Sequence, residues 1–132
     1  MKLFTYGYGS SPVAKTIEHL KGAGVSHVVD VRYSPNSRNP DYRRGRLQAI
    51  LQASGLAYTH LPQLGNVNYK GGPIALKDPT AGLPKLQDMA AQAWATGGAV
   101  CILCACRRPE GCHRRTVTDT LQSSFDVEVI DL

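Results

Sequence analysis

Four cysteines and a histidine crowd one short stretch of this chain: Cys101, Cys104, Cys106, Cys112 and His113, within "CILCACRRPEGCHRR". Thiol and imidazole groups so close together suit three kinds of chemistry. Cys104, Cys106, Cys112 and His113 offer three thiolates and a ring nitrogen, a set that zinc accepts. The spacing C-x-C-x5-C-H is not that of a common zinc knuckle, and Cys101 and Cys104, three apart on a strand, face opposite sides. The reading from spacing is therefore no resident metal and no cofactor. A thiolate at a helix N-terminus beside arginines has a lowered pKa, which makes Cys104 and Cys112 candidate nucleophiles. The phosphatase loop is excluded, because the positions six residues after Cys104 and Cys106 hold Glu110 and Cys112 instead of arginine. Cys101 is read as a small buried hydrophobe.

The third chemistry is anion binding. All nine arginines fall in two segments, Arg32 to Arg46 and Arg107 to Arg115, opposed only by Asp41 and Glu110. The formal charge is +5, so the rest of the chain is slightly acidic. Arginine presents a planar fork of donors matched to phosphate or carboxylate. On this reading Arg32, Arg38 and Arg114 hold an anion, His113 and Arg114 open a helix whose first N–H groups face it, and Asp30 and His60 orient it or move a proton. Gly7, Gly9 and Ser10, in the turn "GYGSSP", let backbone approach the same ligand. The turn lacks the third glycine of a dinucleotide fingerprint.

The elements that must position these groups follow from the pattern of apolar residues. "KLFTYGYG" reads as a strand, followed by a helix with Ser11 as N-cap, Pro12 at its first position and Val13, Ile17 and Leu20 inward. "HVVDVR" is a second strand. Leu47, Ile50 and Leu51 mark a second helix, and "LAYTHL" is a third strand ending near His60. Pro62 to Thr80 reads as a long Gly-rich loop. "LPKLQDMAAQAWATGG" is a third helix with Leu86, Met89, Ala93 and Trp94 as its core face. "AVCILC" is a fourth strand, Cys112 to Ser123 a fourth helix, and "DVEVIDL" a fifth strand.

Alternating strands and helices predict a single α/β domain over residues 1–132, a mostly parallel five-stranded sheet with helices on both faces in Rossmann-like or flavodoxin-like layering. The hydrophobic fraction of 42% and charged fraction of 19% are those of an ordinary globular chain. No apolar run reaches membrane-spanning length and no signal peptide is evident, so a cytoplasmic protein with no membrane partner is expected. Clustered cysteines fit that location better than a disulfide framework does. In open α/β sheets ligands bind beyond the carboxyl ends of the strands. Tyr6 to Ser10, Asp30 and Arg32, Thr59 and His60, and Cys104 all fall at such ends, so one cleft should gather them.

The chain resembles the domain-of-unknown-function 488 family. The residues that carry the likeness are "TYGYGS", "VVDVR", the loop with Ser37, Arg38, Asn39 and Pro40, "YTHLPQLG", and "LCAC…P…CHR" from Leu103 to Arg114. Two positions depart from the family pattern: Cys106 stands where Glu is common, and Tyr8 where His is common. The resemblance implies a small α/β domain and leaves the reaction open. The expected partner is a phosphate-bearing small molecule or a nucleic acid, with hydrolase or transferase chemistry at Asp30, His60, Cys104 or Cys112. The alternative is a non-catalytic nucleic-acid-binding module with structural cysteines.

Overall fold

A computed structural model describes residues 1–132. Five parallel strands form one sheet: β1 (Lys2–Gly7), β2 (His27–Asp30), β3 (Ala57–His60), β4 (Val100–Cys104) and β5 (Glu128–Asp131), in the order β3-β2-β4-β1-β5. Four helices connect them: α1 (Val13–Gly22), α2 (Arg44–Ala53), α3 (Pro79–Ala95) and α4 (His113–Ser124). β4 is central, and its run Val-Cys-Ile-Leu-Cys is buried throughout, as a strand covered on both faces must be. Alternate residues feed two cores. Val100, Ile102 and Cys104 join Leu86, Ala90, Val117 and Leu121 from α3 and α4. Cys101 and Leu103 join Leu20, Leu47 and Leu51 from α1 and α2. The α/β fold and parallel sheet expected from the sequence are both present. No helix is long and apolar enough to cross a membrane.

Local differences have physical causes. Pro12, not Ser11, is the N-cap of α1, and no side chain caps that end. The Ser11 N–H instead donates to the Tyr8 carbonyl, and the Ser11 carbonyl accepts from the Tyr42 hydroxyl, which delays the helix by one residue. The third helix starts earlier than expected, at Pro79, because Asp78 caps it by accepting from the Ala81 N–H. Trp94 is not core: it is 44% exposed. Gly82, Leu86, Ala90 and Ala93 form the buried stripe of α3, with Gly82 packed against Leu64. Trp94→Ser should therefore cost less than about 1 kcal/mol, whereas Leu86→Ala should cost about 2–5 kcal/mol. Chemical denaturation compares the two, and equal losses would contradict this packing.

The connections define where a ligand fits. The chain leaves β2 toward β3 on the α2 face and leaves β4 toward β5 on the α4 face. Neighbouring strands whose loops depart in opposite directions open a crevice at their carboxyl ends.

Candidate functional site

That crevice is a cleft of about 460 Å³. Its floor is Arg32 from the β2 loop and Cys104, Cys106, Cys112 and His113 from the β4–α4 segment, and the loop carrying Asn66 to Ile74 forms one wall. Gly65 seats that wall: a Cβ there would lie 2.5 Å from the Tyr33 Cα. The wall folds back through a bridge between Asn66 and Leu76, and the Asn66 side chain accepts from the N–H groups of Asn68 (3.0 Å) and Ala75 (3.1 Å). Tyr33 and Tyr69 stand exposed, their ring centroids 5.9 Å apart.

Three sulfurs meet on the floor. Strand alternation puts Cys104 and Cys106 on one side, and the returning loop delivers Cys112 as the N-cap of α4. The Sγ atoms of Cys104, Cys106 and Cys112 lie within 4.8 Å of one another. Cys112 Sγ is 3.5 Å from Cys104 Sγ, and His113 Nδ1 is 3.7 Å from Cys104 Sγ and 4.0 Å from Cys112 Sγ. His113 Nε2 lies 2.7 Å from the Val31 carbonyl oxygen. A carbonyl only accepts, so Nε2 carries a proton, and in the neutral ring the lone pair is on Nδ1, facing the sulfurs. Interactions with Cys104 and then Cys112 hold the Cys106 thiol well below its ordinary pKa, while the same contact pushes Cys104 up to about 11. Cys112 rises too, through Cys104 first. Cys106 is the exposed member of the cluster. Cys101 is fully buried in the opposite core, where desolvation raises its pKa.

The two principal arginines are buried and engaged. Arg32 Nε and Nη2 clasp Asp30 at 2.8 and 2.6 Å, and Nη1 donates to the Tyr8 hydroxyl (3.0 Å) and the Tyr42 carbonyl (2.8 Å). Asp30 also accepts from the Tyr58 hydroxyl at 2.6 Å. Arg114 is 1% exposed, and its Nη1 donates to the Cys106 carbonyl at 2.5 Å. It braces the cysteine loop from behind and does not line the cleft. Gly7 makes this possible: a Cβ there would lie 1.4 Å from the Cys106 oxygen and 2.2 Å from Arg114 Nη1.

Of the expected site residues, Arg32, Cys104, Cys112 and His113 share the cleft. Gly9 and Ser10 do not line it: the Gly9 N–H donates to the Ala105 carbonyl, and the Ser10 hydroxyl accepts from Arg107. Asp30 is wholly buried beneath Arg32. His60 lines a separate shallow depression beside β3, with its Nε2 bonded to the Arg32 carbonyl oxygen at 2.8 Å. Arg38 is exposed on the loop after β2. Sequence reasoning weighed Cys106 as a metal ligand and Tyr33 and Tyr69 as stacking residues, and passed over Lys70, which also lines the cleft.

The fold class is thus a small, all-parallel α/β domain with helices on both faces and a thiol-floored cleft at its strand ends. Within that class, the chain belongs to the family described as Domain of unknown function DUF488, whose model matches residues 12–78. The first turn and the cysteine segment lie outside the matched residues. No curated protein and no solved structure matches the chain.

Proposed function

We propose that the cleft binds a phosphate-bearing small molecule, with a nucleotide as the best-fitting class. The observation that carries this is the composition of the lining: it holds Arg32, Lys70 and the amides of Asn36, Asn66 and Asn68, and no carboxylate. The N-terminus of α4 opens on the same space through Gly111, Cys112 and His113 and adds a favourable field for negative charge. Because Asp30 neutralises Arg32, Lys70 is the free cation of the lining, and the exposed faces of Tyr33 and Tyr69 suit a base. A reaction in this cleft would fall to the sulfurs, since Asp30 and His60 are turned to internal partners.

Calorimetry against a panel of mononucleotides tests the reading. Lys70→Glu should weaken binding about 10–100-fold, the effect of removing a charge-assisted hydrogen bond. Arg108→Lys, on the exposed loop, should change little. A second reading, nucleic-acid binding, is favoured by the exposure of Arg38, Arg43, Arg44, Arg46, Arg107 and Arg108. An oligonucleotide held by those residues would lose affinity steeply with salt, while a mononucleotide in the cleft would do so weakly. Failure of both ligand classes, or equal effects at Lys70 and Arg108, would refute the cleft.

A further inference from the structure

We infer that Cys104, Cys106, Cys112 and His113 form a four-coordinate site for a divalent, thiolate-preferring metal ion, zinc above all. The site forms the floor of the same cleft, and the inference goes beyond the phosphate-ligand reading without resting on it. It reverses the expectation from sequence spacing, for reasons that only the fold supplies.

The first reason is geometric. A tetrahedral ion with metal–sulfur bonds of about 2.3 Å and a metal–nitrogen bond of about 2.0 Å needs ligand atoms separated by about 3.5–3.8 Å. Cys104 Sγ, Cys112 Sγ and His113 Nδ1 are already 3.5, 3.7 and 4.0 Å apart. Cys106 Sγ lies within 4.8 Å of the other two sulfurs, on an exposed side chain free to turn toward them. Three thiolates and one imidazole are a standard donor set for a closed zinc site.

The second reason concerns the imidazole. A ligating histidine commonly donates its other N–H to a carbonyl or carboxylate, which fixes the tautomer and aims the lone pair. His113 does this with the Val31 carbonyl at 2.7 Å, and the bond crosses from α4 to the loop after β2.

The third reason is the setting of the charges. Three thiolates and a divalent ion leave one net negative charge. Arg114 lies behind the loop with its Nη1 on the Cys106 carbonyl, and α4 points its positive end at the sulfurs. The ligand-bearing loop also has a built-in return at Gly111, whose φ of 74° is left-handed. Binding is an exchange: the ion takes the place of the thiol protons, which pass to solvent, and no oxidant or reductant takes part.

The test uses the full-length protein purified under reducing conditions, without nucleotide. Metal content by mass spectrometry should approach one zinc per chain. Cobalt(II) added to the stripped protein should give intense tetrahedral d–d bands with thiolate-to-cobalt charge transfer, displaced by one equivalent of zinc. Cys106→Ser is the decisive variant, because the exposed side chain contributes little to the core, and circular dichroism should show it folded. It should lower zinc affinity at least tenfold and reduce the charge-transfer intensity. His113→Gln should also weaken binding, while Cys101→Ser should retain one equivalent. Absence of charge transfer in folded wild-type protein would overturn the site, as would a Cys104–Cys112 disulfide in the reduced preparation. Equal losses in Cys101→Ser and Cys106→Ser would do the same.

Discussion

Asp30→Ala should lower the stability of the folded protein by about 3–5 kcal/mol, and its melting temperature by roughly 10–20 °C. Asp30 is wholly inaccessible to solvent and Arg32 only 6% exposed, so removing the carboxylate strands a guanidinium in the interior. It also leaves the Tyr58 hydroxyl without its acceptor. The asymmetry between breaking and replacing a buried pair supplies the control. Asp30→Leu combined with Arg32→Met removes both charges together, so it should recover more than half of the loss. Thermal and urea denaturation of the single and double variants measure this. A loss below about 1 kcal/mol in Asp30→Ala would mean that water reaches the pair in solution.

Gly7→Ala should cost about 3 kcal/mol, the upper end of the usual range for overpacking, because the new methyl meets backbone and a braced guanidinium. Its Cβ would lie 1.4 Å from the Cys106 carbonyl oxygen, so β1 and the cysteine loop must separate. The same separation should carry Cys106 away from Cys104 and Cys112. In the metal-free protein, alkylation of Cys106 by iodoacetamide at neutral pH should then slow, because its thiol loses the Cys104 and Cys112 contacts that lower its pKa. Gly22→Ala, at the end of α1 with nothing within 4 Å of the new methyl, should leave both quantities unchanged. A stable Gly7→Ala protein with unchanged thiol reactivity would contradict the close approach seen here.

Much of the layout was legible from local pattern. "HVVDVR" and "AVCILC" could hardly be anything but covered strands, and Val117 and Leu121 marked the inner face of α4. Strand order was not legible, because a parallel crossover leaves no local trace of which strand it will join. The arginines misled for a related reason. A cluster of guanidinium groups in sequence looks like a surface for anions, yet Arg32 and Arg114 are buried and turned to Asp30 and to loop carbonyls. The Asp30–Arg32 pairing is two residues apart on one side of the chain and was readable in principle. The Arg114 contact with Cys106 depends on the return of the loop and was not. The thiol cluster likewise depends on a strand end and a helix start meeting, which spacing rules drawn from short zinc knuckles do not describe.

The sheet order also dictates when this protein can fold during synthesis. β1 and β2 are made first but never touch as neighbours, because β4 lies between them. Until residue 104 has left the ribosome, the nascent chain can pair only β2 with β3, leaving β1 with no partner strand. A two-stranded parallel ribbon is too small to hold itself together, so the growing chain exposes apolar strands for most of its translation. Insertion of β4 then closes the sheet on both sides in one event and brings Cys104 to the crevice. Cys112 and His113 follow within a few residues, ahead of β5, so the thiol cluster can assemble on four strands before the edge strand is added.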